Sequence, residues 1–306
     1  MGARVAGVVL ERLVSLNIDG FSVGCYESEE AESGITVVFA PDGNTAGMSQ
    51  MGRSPGTRET DMLRPFGRPD SRVNAIALVG RSVFGLRAVE GLVWELYLRG
   101  EGIATPALKV PIVPAAVVYD FFNNTEMPDE EWGKMAYQSR SRSFLTGRHG
   151  AGRGATIGKA LGRHLAQPSG QGYHEVVGRG VTLGVLVVVN SFGWVFRPGA
   201  DTPIGYKGLR APLVSLLENG FRESPFATNT TLAVVITDAV LSKVEACIVA
   251  ERVNSALYEV IKPFNTSYDG DVIFVVASNK VPAKTDYVSL LAQTAAQRSV
   301  LSVFTF

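Results

Sequence analysis

Five consecutive apolar residues, Leu232-Ala233-Val234-Val235-Ile236, follow a polar, turn-rich approach that runs from Glu218 through Pro225 to Asn229. A run of that length and β-branched content, bounded by turn signals, reads as a strand buried on both faces. Such a strand needs a covering layer on each side, so it commits the chain to a layered architecture. Thr230 stands at the mouth of the run, where a hydroxyl is held rigidly at the edge of the core. A threonine hydroxyl is a weak nucleophile without an adjacent base, and one recurrent base is the residue's own free α-amino group. That solution requires the chain to be cut between Asn229 and Thr230. The expectation is therefore self-cleavage into 1–229 and 230–306, with Thr231 as the rival nucleophile.

Other segments repeat the pattern. Gly34–Ala40, Val73–Val79, Val113–Tyr119, Val181–Val189 and Val272–Ala277 read as buried strands. Helices are expected over Val83–Arg99, where Phe84, Ala88, Leu92 and Leu96 recur at helical spacing, and from about Thr285 onward. Ser242-Lys243-Val244-Glu245 is a capping box that opens another helix with Ala246, Val249, Ala250, Val253, Leu257 and Val260 on one face. The segment Asn123–Arg148 reads as a polar excursion, rich in Ser and Arg. With no internal repeat and no linker, the 306 residues are expected to form one layered α/β domain.

Composition narrows the partners. Lys plus Arg and Asp plus Glu number 29 each, which gives no electrostatic case for nucleic acid or an anionic membrane. The longest uncharged run, Gly180–Phe196, is short of spanning length and carries Asn190 and Ser191. The N-terminal segment has Glu11 and Arg12 inside it and makes a poor signal peptide. A cytoplasmic protein is expected. Cys25 and Cys247 are too few for a disulfide framework or a zinc site, and Cys247 reads as a buried free thiol.

Several short motifs invite chemistry and mostly lack its context. Gly150-x-Gly152-x-x-Ala155 resembles a dinucleotide fingerprint, but no strand precedes it, and Lys159 is not placed as in a phosphate-binding loop. A glycine turn entering a helix, with Lys159 on the surface, is the plainer reading. Ser22 and Ser54 each stand in Gly-x-Ser-x-Gly without the strand-to-helix turn of a nucleophile elbow. His149, His164 and His174 show no metal-ligand spacing. Asp269-Gly270-Asp271 is first of all a turn sequence. Its two carboxylates, two residues apart at a strand start, could also converge on one spot. Asn190 ends an apolar strand as a cap or as a donor to an oxyanion. Tyr119-Asp120 at another strand end is equally open.

Taken in order, these blocks resemble the self-processing DmpA-type aminopeptidase family, whose members include the nylon-oligomer hydrolases. Pro55-Gly-Thr-Arg-Glu-Thr-Asp61 is similar to that family's segment of the same composition. Val73-Asn-Ala-Ile76 through Ser82-x-Phe84-Gly85-Leu86, Gly150–Lys159, Leu183–Asn190, Asn229-Thr230-Thr231 and Asp269-Gly270-Asp271 follow in matching order. The resemblance spans Gly34 to Ala277. It implies a layered αββα sandwich of the DmpA/ornithine acetyltransferase type and a homo-oligomer, with a tetramer favoured. Thr230 then corresponds to the nucleophile freed by cleavage after Asn229. Asp269 and Asp271 correspond to the acids that orient it, Asn190 to an oxyanion amide, and Tyr119 and Lys159 to further site groups. No cofactor and no metal are implied. The Asn-Thr junction, the paired aspartates and Ala115–Phe121 resemble the nylon-oligomer hydrolases more than the serine-nucleophile β-aminopeptidases. The implied substrates are small linear amides, either short peptides or aminohexanoate oligomers. Acyl transfer of the ornithine acetyltransferase kind and an unprocessed non-enzymatic homologue are the alternatives. Arg81 and Arg87 depart from the family's usual Gly and Asp, two added charges that could reshape the substrate pocket.

Overall fold

A computed structural model describes residues 9–122, 125–206, 212–220 and 229–304. The segment immediately before Asn229, including Ala227 and Thr228, lies outside the described residues.

In chain order the principal strands begin with β1 (Ser22–Ser28), β2 (Ser33–Phe39), β3 (Thr45–Gln50), β4 (Thr57–Arg58) and β5 (Ala75–Val79). They continue with β6 (Ala115–Val117), β7 (Gln171–Gly178), β8 (Val181–Asn190), β9 (Thr230–Ala239) and β10 (Val272–Val281). The helices are α1 (Leu86–Leu98), α2 (Glu130–Gln138), α3 (Pro212–Asn219), α4 (Lys243–Val260) and α5 (Thr285–Ser302). Two five-stranded sheets result, one ordered β1-β2-β5-β6-β4 and the other β7-β8-β9-β10-β3. Each is antiparallel except at one central pair, β5–β6 in the first and β9–β10 in the second.

The two-residue period of the strands divides the apolar residues among three core layers. Along β8, β9 and β10, Val185, Val187, Val235, Ile273 and Val275 face α4 and α5. Their alternates Leu186, Val188, Leu232, Val234 and Phe274 face the other sheet, meeting Val38, Ile76, Leu78 and Ala116. On that sheet's far side, Ile35, Val37, Ala77 and Ala115 pack against Ala88 and Leu92 of α1 and Trp132 and Ala136 of α2. The order is helices, sheet, sheet, helices: an αββα sandwich, as the resemblance implied. Strands buried on both faces explain why the runs read as uninterrupted apolar sequence.

The expected strands and helices are present, with ends moved by a few residues. The Ser242–Glu245 capping box forms in both directions. The helix expected from Val83 begins at Leu86, after a 3-10 turn over Ser82–Gly85. Six elements have no counterpart in the sequence reading, among them the two-residue β4 and α3, which ends in the stretch expected to be turn-rich. Strand β1 lies at a sheet edge and is only half-buried along most of its length, and β7 carries Gly, His and Glu. Strand β3, Thr-Ala-Gly-Met-Ser-Gln, has almost no β-branched content. It is buried because Gly47 lies against α4, where an added Cβ would come within 2.8 Å of Ala246 Cβ. Helix α2 is nine residues long inside the polar excursion and buries only Trp132, Gly133 and Ala136. No helix among the described residues is long and apolar enough to cross a membrane.

Candidate active site

The central strands of the second sheet end together. Register places Asn190 at the end of β8 opposite Thr230 at the start of β9. Asn229, one residue earlier, bridges in parallel to Asp269, just ahead of β10. Three strand ends and one turn thus assemble Asn190, Asn229, Thr230, Asp269 and Asp271, all of them buried. Polar groups survive at such a depth only with hydrogen-bond partners.

The Asn229–Thr230 peptide is held at its carbonyl. Thr230 Oγ1 donates to the Asn229 oxygen at 2.5 Å, and the Gly270 backbone N–H donates to the same oxygen at 2.9 Å. Gly270 allows this approach because it lacks a Cβ, which would lie 2.9 Å from Thr230 Oγ1 and 2.6 Å from the Ser54 carbonyl. Ser54 itself braces the turn, with its N–H on Asp269 O and its hydroxyl on Ser267 O. Its Gly-x-Ser-x-Gly setting is a close-packing feature of this turn.

Each aspartate is fixed by backbone amides. Asp271 accepts from Thr231 N at 2.5 Å and Asn265 N at 3.1 Å. Asp269 accepts from Thr266 N and Oγ1 and from Phe192 N. Burial raises both carboxyls above the usual range, and the neighbouring Asp269 charge raises Asp271 further. The two therefore titrate as a pair.

Lys159 is buried, which overturns the surface reading, and Gly150–Gly152 forms a 3-10 turn with no helix following. Its ammonium donates to Asn190 Oδ1 at 2.9 Å, Asn190 O at 3.0 Å, Thr156 O at 3.1 Å and Thr156 Oγ1 at 3.2 Å. Burial pushes its pKa down to about 7, against the pull of Asp269. With Lys159 and Thr156 N both on Asn190 Oδ1, the carboxamide orientation is set. Its Nδ2 then donates to the Tyr119 carbonyl at 2.9 Å. Tyr119 thus joins the cluster through its backbone, while its ring packs on Phe121 and under the Arg163 guanidinium.

The two departing arginines separate. Arg81 is buried with a left-handed backbone, its N–H on Asp120 and its guanidinium over Phe121. Arg87 is exposed and pairs with Glu130 of α2, in the outer helical layer rather than at the cluster. Sequence reasoning missed Thr156, Phe192 and Thr266. Thr266 had a signal, because Asn-Thr-Ser-Tyr-Asp-Gly is dense in turn formers whose side chains bond local backbone. Phe192 contributes only its N–H, which no side-chain motif reports.

Comparison with known proteins places the chain in a family. Residues 16–305 match the model of peptidase family S58. The chain belongs to that family. Among S58-type relatives, an uncharacterized aminopeptidase of Mycobacterium leprae is 33% identical over 287 residues, covering 87% of this chain and 79% of its own. A 6-aminohexanoate-oligomer endohydrolase of Paenarthrobacter ureafaciens is 29% identical over 286 residues, 89% of this chain and 77% of its own. Among solved structures, a Burkholderia β-aminopeptidase superposes with a TM-score of 0.67 at 18% identity, over 99% of this chain and 87% of its own. The L-aminopeptidase D-Ala-esterase/amidase of Ochrobactrum anthropi, described as a variant of the Ntn hydrolase fold, also gives 0.67 at 17% identity, over 94% and 84%. The DmpA-type resemblance and the fold it implied therefore hold.

Proposed function

We propose that this S58 member is a self-processing amide hydrolase with Thr230 as its N-terminal nucleophile. The observation that carries the proposal is the doubly bonded Asn229 carbonyl, with Thr230 Oγ1 at 2.5 Å and Gly270 N–H at 2.9 Å. In the first stage the Thr230 oxygen attacks the Asn229 carbonyl carbon. Negative charge then grows on an oxygen already facing the Gly270 N–H, which is oxyanion stabilisation by a preorganised donor. The C–N bond breaks, the acyl group passes from nitrogen to oxygen, and the Thr230 amine takes up a proton. Water hydrolyses the ester and leaves 1–229 with a free carboxylate.

In the second stage the Thr230 amine acts as the base for its own hydroxyl. Its intrinsic pKa of about 7.7–8.0 suits that role near neutral pH. Asp271 orients the start of β9 through Thr231 N, Asp269 stands beside it against Asn229, and Asn190, held by Lys159, is assigned to the acyl oxyanion. An ester between substrate acyl and Thr230 Oγ1 forms, the amine product leaves, and water restores the hydroxyl. The substrates proposed are small linear amides, namely short peptides or 6-aminohexanoate oligomers. The relatives' names support this class.

The test is turnover of α-peptides, β-peptides and aminohexanoate oligomers by wild type and Thr230→Ala, with products identified by mass. Hydrolysis of one class by wild type alone supports the proposal. Hydrolysis that survives in Thr230→Ala would falsify it.

A further inference from the structure

Beside the Lys159–Asn190 cluster lies a cavity of about 290 Å³ whose lining includes Glu32, Asp120, Phe122, Arg148, Thr156 and Pro168. Thr156 joins it to the cluster, because the same residue bonds Lys159 and Asn190. Arg148 is half-buried in the wall, and among the described residues no carboxylate comes within salt-bridge distance, 4.0 Å, of its guanidinium. Arg153 stands near it with a buried Nε that has no hydrogen-bond partner. Two guanidiniums side by side repel, and burial together with Arg153 lowers the Arg148 pKa.

The cavity's own acids do not answer this charge. Asp120 is committed to Ser33 Oγ and Arg81 N, with its carboxyl pushed up by burial. Glu32 is exposed and attracts Arg148 only from a distance. The apolar part of the wall is Phe122, covered by Arg163 at 4.7 Å, with Ala31, Ala166 and Pro168, and Thr156 adds a hydroxyl on the side of the cluster. A guanidinium without a carboxylate partner beside the apolar patch of a mixed wall suits a carboxylate on a short carbon stem, since Arg binds planar carboxylates in bidentate fashion. The volume lies at the lower end of ligand pockets, which run from about 300 Å³ upward, so it holds one unit rather than a chain.

We propose that this cavity is the leaving-side subsite of the hydrolase, and that Arg148 binds the free carboxylate of a substrate one short residue beyond the scissile amide. In a linear amide built from amino acids the carboxylate lies on the amine side of the last bond, which is the portion released when Thr230 is acylated. The proposal rests on the Thr230 chemistry above. It narrows the substrate class to short amides with a free acid end.

The experiment compares a 6-aminohexanoate dimer acid with the same dimer capped as a primary carboxamide. Wild type should prefer the acid by about tenfold or more in kcat/KM, carried by KM, the size expected of a charge-assisted contact. Arg148→Gln should shrink that preference to about threefold or less, and Arg148→Lys should keep part of it. A wild type indifferent to the cap, or an Arg148→Gln ratio equal to wild type, overturns the subsite. Calorimetry with hexanoate makes the same test without turnover: it should bind wild type and fail to bind Arg148→Gln. No heat with wild type, or equal binding by both, is again a contradiction. Hydrolysis of the capped dimer and the mass of each chain report separately on the Thr230 chemistry, so the two failures are told apart.

Discussion

Strand β9 has a threonine pair or a Thr-Asp pair at each end, and the two ends behave differently. At its far end Thr237 Oγ1 donates to Thr182 O and accepts from Ala239 N, where the register with β10 shifts. Asp238 is half-exposed and accepts from Thr182 N. Those groups satisfy the loose backbone of an irregular strand end, and the carboxylate reaches water. At the near end Thr231 N bonds the buried Asp271, the buried Asp269 lies next to it, and the facing Asn190 is held by a lysine pushed down to about 7. Residue type alone does not separate the ends. Burial, mutual coupling and a neighbouring turn do, and these are the conditions under which groups titrate near neutral pH.

Substitutions should divide along the same line. The largest effect is expected from Thr230→Ala, which should leave one uncut chain with turnover at background, read by gel and product mass. The matching change at the other end, Thr237→Ala, should leave cutting and turnover intact. Next is Asp271→Asn, which replaces the carboxyl facing Thr231 N and should slow both cutting and turnover by about 10²-fold or more, as losing an orienting acid does. Asp238→Asn keeps an acceptor and should change neither; an equal loss of activity at both aspartates would dissolve the comparison.

Lys159→Met should show in the pH dependence of stability. Between about 7 and the ordinary 10.5, the unfolded chain holds a proton on Lys159 that the folded chain has released. Stability therefore rises with pH across that window, and the cost of burying the charge is felt below it. Denaturant midpoints measured from about pH 6 to about pH 9.5, which covers most of that window, should climb more steeply for wild type than for Lys159→Met. Parallel curves would mean that the lysine titrates as an ordinary surface group. The smallest effect is expected at Thr237→Ala in stability, about 1 kcal/mol for the lost hydroxyl bonds.

What was legible in the sequence followed burial. Leu232–Ile236 and Val181–Val189 are apolar on both faces, so their state could be read without knowing their neighbours. The glycine-bearing β3 takes its shape from β10 and α4, more than 190 residues along the chain. Strand β1 pairs with its neighbour β2 but, half-buried at an edge, lacks the uninterrupted apolar run that marks a buried strand. The site divides in the same way. Asp269 and Asp271 stand two residues apart and could be paired by eye, whereas the Gly270 N–H and the Phe192 N–H act as backbone donors positioned by the tertiary fold. Lys159 read as a surface residue because its four acceptor contacts come from Thr156 and from Asn190, thirty-one residues away in sequence.

The central claim is a peptide bond cut at one place, and intact-mass spectrometry of the purified wild-type protein measures it directly. The account predicts two species, 1–229 and 230–306, the smaller beginning with the free amine of Thr230. A single full-length chain that nonetheless hydrolyses amides would contradict it.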